Sequence, residues 1–189
     1  MKQLLTTDKS KTYLPLIFIV AALILLGIGG RLLPHLTNFS PLLAIALFAG
    51  FFFAKRLLPL VIITTILLVT DFMLGGYDYR LMLVVYGALF FPFVFKTFLR
   101  SKLSVLRLSI ATLSSSIFFF LTTNFAVWLF ASWYSPDLTG LIECYVAGLP
   151  FFKYTLLGDL GWSGILFGTY AFTLRFWDLT NEDKQYGIA

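Results

Sequence analysis

An all-α, polytopic membrane protein, a compact bundle of six transmembrane helices in a single domain over residues 1–189, is the fold class that three observations predict. Hydrophobic residues make up 59% of the chain and charged residues only 12%, about half the charged share of an average soluble domain. Mean hydropathy is +0.91. The few charges fall between long apolar runs, and 189 residues hold six spans of roughly 20 residues each with little left over for a soluble catalytic or nucleotide-binding domain.

The spans follow in order. Tyr13 to Gly30 is an 18-residue run without a charge, behind Lys2, Lys9 and Lys11. It is longer than the apolar core of a signal peptide and further spans follow, so it reads as a first transmembrane helix over 13–30. The second, 36–54, has Pro41 near its start, where the missing N–H is best tolerated. The third, 57–74, ends before Gly75-Gly76, a turn signal. The fourth, 81–95, carries Pro92, which kinks it or ends its regular part. The fifth, 108–131, is rich in hydroxyls, and the sixth, 155–174, closes on Arg175. Residues 133–153 are too apolar for a free loop and too interrupted for a span, so they read as an interfacial or re-entrant piece.

Basic residues set the orientation. With a cytoplasmic N-terminus, eleven of the fourteen Lys and Arg lie inside, leaving Arg31, Arg80 and Lys153 outside. Both termini are therefore expected in the cytoplasm of a cell whose inner membrane holds the chain. This placement accounts for the net charge of +5 without a nucleic-acid partner; the expected surroundings are the lipid bilayer.

In that orientation the polar residues gather at the outer end. Asp71 falls near the outer end of span three, Asn124 about two turns below the surface in span five, and Asp159 near the start of span six. The proline-bracketed segment Arg31 to Gly50 brings His35 and Asn38 to the same face. Two readings stay open at this point. The carboxylates and Asn124 could be interfacial groups or interhelical hydrogen-bond partners, or they could line a water-accessible cavity with Arg31, His35 and Asn38. Tyr77 and Trp133 fit an aromatic belt at the boundary, and equally a stacking surface for a ligand. Candidate substrate-binding residues are thus Arg31, His35, Asn38, Asp71, Tyr77, Asn124, Trp133 and Asp159. Gly164 and Gly168 form a GxxxG, and Ala46 and Gly50 a similar pair, that suit close helix packing.

Catalysis finds no support. There is no Walker A loop, GxGxxG strand-turn, HExxH or GxSxG, and an intramembrane aspartyl enzyme would need Asp71 and Asp159 face to face. One histidine and one cysteine leave no metal site or intrachain disulfide, and no cofactor is expected.

The segments Asn38 to Gly50 (NFSPLLAIALFAG), Pro59 and Asp71, and Leu149 to Tyr170 (LPFFKYTLLGDLGWSGILFGTY) resemble a family of uncharacterised small bacterial membrane proteins over nearly the whole chain. That family is in turn similar to the substrate-binding S components of energy-coupling-factor (ECF) vitamin transporters. The resemblance implies a six-helix protein that binds a vitamin or its precursor near the outer face, beneath the loops Arg31–Ser40, Gly75–Arg80 and Ser132–Tyr154. It also implies partnership with a transmembrane coupling subunit and two ATPases, the chain itself hydrolysing nothing. The first span lacks the small-xxx-small pair with which many S components dock, a departure from that pattern. The rival expectation is a structural or assembly scaffold with no transport ligand.

Overall fold

The computed structural model describes residues 9–33, 38–54 and 57–186. Its described elements are all helical: α1 (Lys9–Leu32), α2 (Leu42–Phe52), α3 (Leu58–Leu74), α4 (Tyr79–Phe90), a 3₁₀ turn (Phe91–Phe95), α5 (Lys96–Ser101), α6 (Val105–Phe130) and α7 (Leu138–Tyr186). Among the described residues three helical stretches are long and apolar enough to cross a membrane: Leu14–Leu32, Tyr79–Ser101 and Val105–Phe130. Those lengths and compositions mark a membrane protein.

Local chemistry sets the helix ends. Gly75, in a left-handed conformation (φ 90°), ends α3, and the Gly76 N–H reaches back to the Asp71 carbonyl at 2.7 Å. Only a residue without Cβ takes that conformation cheaply. Asp78 caps α4, its carboxylate accepting from the Arg80 N–H at 2.8 Å, and Ser104 caps α6 through the Arg107 N–H. Pro92 ends the regular part of the fourth apolar run, which tightens into the 3₁₀ turn before α5.

The second apolar run departs from expectation. Regular helix begins only at Leu42, because Asn38 is left-handed (φ 64°) and Pro41 sits at the N-cap. At 11 residues α2 is about 16 Å long, roughly half a bilayer's hydrocarbon thickness. It is apolar on every side and buried on every side, from Leu43 to Phe51, and it touches every other helix of the fold. Its far end packs Phe48, Phe51 and Phe52 against Phe167 and Tyr170, with Ile62, Ile63, Ile66 and Leu67 of α3 completing the core.

A second departure concerns residues 133–153. Most of this segment is the first part of α7, continuous with the sixth apolar run through Pro150, and not a separate interfacial piece. The reason is its packing along α6: Cys144 donates to the Asn124 carbonyl, Tyr145 to the Leu121 carbonyl at 2.8 Å, and the rings of Phe120 and Phe152 lie 4.6 Å apart. Tertiary contact keeps the helix going where the local sequence suggests an interruption. The glycines divide as well. Gly50 packs on Phe93, whereas a Cβ added at Gly161, Gly164 or Gly168 would meet nothing within 4 Å, so among the described residues that GxxxG makes no close helix contact.

Candidate functional site

One end of the bundle collects the C-terminus of α1, the entry to α2, the C-terminus of α3 and the middle of α7. Arg31 lies in the last turn of α1, where a cation suits the helix dipole. It reaches across to α3: Nη1 donates to Thr70 Oγ1 at 2.6 Å, and Nη2 stands 2.7 Å from Asp71 Oδ1 in an ion pair. The second Asp71 oxygen accepts from the Tyr86 hydroxyl of α4 at 2.8 Å. Asp71 is only 3% exposed and Arg31 17%, so this is a buried cluster tying α1, α3 and α4 together. Thr70 in turn donates to the Ile66 carbonyl of its own helix.

Asp159 is placed differently. It is also 3% exposed, and it accepts a hydrogen bond from Ser116 of α6 at 2.7 Å. Among the described residues no Lys or Arg lies within ion-pair distance of it; the ion pairs there are Arg31–Asp71 and Arg80–Asp78. Further along the same interface the Thr112 hydroxyl donates to Ser163 at 3.2 Å.

Between these two groups lies a cavity of about 330 Å³. Arg31, Asn38, Ser40, Thr155 and Asp159 give it polar corners, and Leu43, Leu67, Leu74, Val85, Leu89 and Phe119 give it apolar walls. The loop that enters α2 forms one rim. Gly158 sits beneath that loop, where a Cβ would come within 3.1 Å of the Phe39 α-carbon, so glycine there permits the close approach.

The sequence-derived candidates therefore separate. Arg31, Asn38 and Asp159 line the central cavity, and Asp71 stands behind Arg31. Asn124 lies in an adjoining space of about 200 Å³ that shares Asn38, Phe119 and Thr155 with the first; its side-chain amide donates to the Phe120 carbonyl. Tyr77 and Trp133 line a third, more lateral space with Asp78 and Phe130. Burial and the nearby Asp71 carboxylate push the Tyr77 phenol upward, with Arg31 opposing. His35 lies outside the described residues. Thr70, Tyr86 and Ser116 complete the two carboxylate environments and were not among the candidates. The hydroxyl-rich fifth run signalled Ser116; a single tyrosine in an apolar run carries no such signal for Tyr86.

The described residues contain no cluster of three His, Cys, Asp or Glu side chains able to hold a metal. Cys144 is buried, and burial raises its thiol above the usual range.

Neither the curated proteins nor the solved structures yield a match to this sequence. Residues 11–180 match the model of a family of unknown function, DUF6580, and the chain belongs to that family.

Proposed function

We propose that the chain is a membrane-embedded substrate-binding protein for uptake of a small organic nutrient such as a vitamin or its precursor, of the ECF S-component kind. The observation that carries this reading is the convergence of Arg31, Asn38, Ser40, Thr155 and Asp159 on one apolar-walled cavity. Its volume of about 330 Å³ suits a small ligand, since ligand pockets run from roughly 300 to 1,000 Å³ and combine apolar walls with a few convergent polar groups. In this reading six apolar segments embed the chain in the bacterial inner membrane with both termini cytoplasmic, and the cavity opens outward. The chain binds and presents the ligand, and a transmembrane coupling subunit with its ATPases supplies the energy.

The Arg31–Asp71–Tyr86 cluster favours a second reading, a structural scaffold, because it joins three helices and its charges are matched within the chain. The two readings part at the cavity. Mass spectrometry of the purified protein is expected to find a retained small molecule, and Asp159→Asn or Asn38→Ala to release it. No retained molecule, together with unchanged vitamin-dependent growth of cells carrying these variants, would overturn the uptake reading in favour of the scaffold.

A further inference from the structure

We infer that the cavity takes a small organic monocation, an amine with an apolar body, whose nitrogen sits on Asp159 while Arg31 takes no part in charge recognition. This assignment rests on the uptake reading above and specifies the ligand class of the same site.

The argument is a balance of charge. Arg31 is the cation that lines the cavity, and it invites the opposite conclusion, an anionic ligand. But its guanidinium is already engaged, one nitrogen on Thr70 at 2.6 Å and another on Asp71 at 2.7 Å. Asp71 is held from the far side by the Tyr86 hydroxyl, so it is fixed in place and neutralises Arg31 at contact distance. A ligand carboxylate would have to displace a buried carboxylate from its own cation. The Arg31–Asp71 pair therefore presents no net charge to the cavity.

Among the described residues Asp159 has no such partner. A carboxylate offers about four lone-pair sites, and Ser116 is the hydrogen-bond donor to this one. Lys153, on the same helix, is exposed and turned over the Tyr154 ring, 5.9 Å from its centre. Glu143 is exposed farther along α7. From α6 the group facing Asp159 is Ser116, from α1 the already paired Arg31, and α2 offers Leu43 across the cavity. Among the described residues the cavity is left with one carboxyl that no cation compensates, buried beside leucines and a phenylalanine. Its ionised form is unfavourable alone and favourable with a cation brought to it. A ligand ammonium supplies that cation and also donors for the free lone pairs. Leu67, Val85, Leu89 and Phe119 match an apolar body, and the volume limits it to a small one.

The test uses the full-length protein in lipid nanodiscs and three probes that share a phenethyl body and differ in charge: phenethylamine, 2-phenylethanol and 3-phenylpropionate. Titration calorimetry is expected to show phenethylamine binding at least roughly tenfold tighter than the alcohol, the carboxylate not binding, and this preference vanishing in Asp159→Asn. Mass spectrometry of the molecule retained on purification gives an independent arm, and a retained cation supports the assignment even if the probes are too weak to register. The alcohol or the carboxylate binding as tightly as the amine, a retained neutral or anionic molecule, or a preference that survives in folded Asp159→Asn would overturn the assignment and leave the uptake reading standing. No retained molecule and no binding of any probe would overturn both. Should Asp159→Asn not fold, the three probes on the unmodified chain still decide.

Discussion

Arg31 at the end of α1 and Asp71 near the end of α3 stand 2.7 Å apart although 40 positions separate them, and the carboxylate is almost wholly buried. Breaking a buried pair from one side leaves a charge with no partner and costs about 3 to 5 kcal/mol. Asp71→Asn and Arg31→Met are each expected to lower the thermal unfolding midpoint in detergent strongly. The double variant Arg31→Met/Asp71→Asn, which removes both charges, is expected to lose less than the sum of the two. Additive losses would show that the pair does not act as a unit.

Two neighbouring serines of α6 make a second comparison. Ser116 donates to Asp159, whereas the buried Ser115 hydroxyl has no hydrogen-bond partner among the described residues. Ser116→Ala is expected to destabilise by about 1 to 2 kcal/mol, and Ser115→Ala to be neutral or mildly stabilising, since it deletes an unsatisfied group. Thermal melts of the two variants side by side check the order.

Acid acts on the turn that starts α7. Hydrogen bonds from the Gly140 N–H at 2.8 Å and from the Ser135 hydroxyl hold the Asp137 carboxyl below its ordinary range. A depressed folded-state value means that the stabilisation is fully present above the unfolded-state pKa, about 3.9, and is lost as pH falls through the folded-state value. Asp137→Asn is therefore expected to melt below the unmodified chain at pH 5, with the gap closing on acidification. A gap that widens toward low pH would refute the linkage.

The proposed orientation is open to labelling. In a Cys144→Ala background, Trp133→Cys is expected to react with an impermeant maleimide in intact cells, and Lys102→Cys only after permeabilisation. Both native side chains are exposed, so access to the reagent is set by the side of the membrane. The reverse pattern would invert the topology.

How far the sequence could be read depended on whether a feature was local. Apolar runs mark α1, α3, α4 and α6, and Gly75 and Pro92 mark ends, because apolar content and backbone restriction are properties of a few consecutive residues. The charge asymmetry put Arg31, Asn38, Asp71 and Asp159 together on the outer side; the structure has Arg31, Asn38 and Asp159 around one cavity with Asp71 behind Arg31, and does not set the side of the membrane. The shortness of α2 was legible only in part: the apolar run proper starts at Pro41, and the span over 36–54 counts in the polar residues before it, which the left-handed Asn38 keeps out of the helix. The continuity of α7 was not legible, because it depends on Cys144, Tyr145 and Phe152 packing on α6. A donor such as Tyr86 emerges only once helices distant in sequence are laid side by side, and of the hydroxyls in the fifth run only that packing singles out Ser116 as the partner of Asp159. Tyr77 and Trp133 were grouped with the polar residues by their shared boundary, but they line a neighbouring space that shares Val85 with the central cavity.

Gly158, pressed against the backbone of Phe39, is the residue immediately before Asp159. Side chains touching across an interface can rotate and absorb a shift; two backbones in contact cannot. The spacing between the rim of the cavity and the carboxylate on its floor is therefore set by a glycine one peptide bond from the charge, and any side chain added at 158 would press on the rim at Phe39.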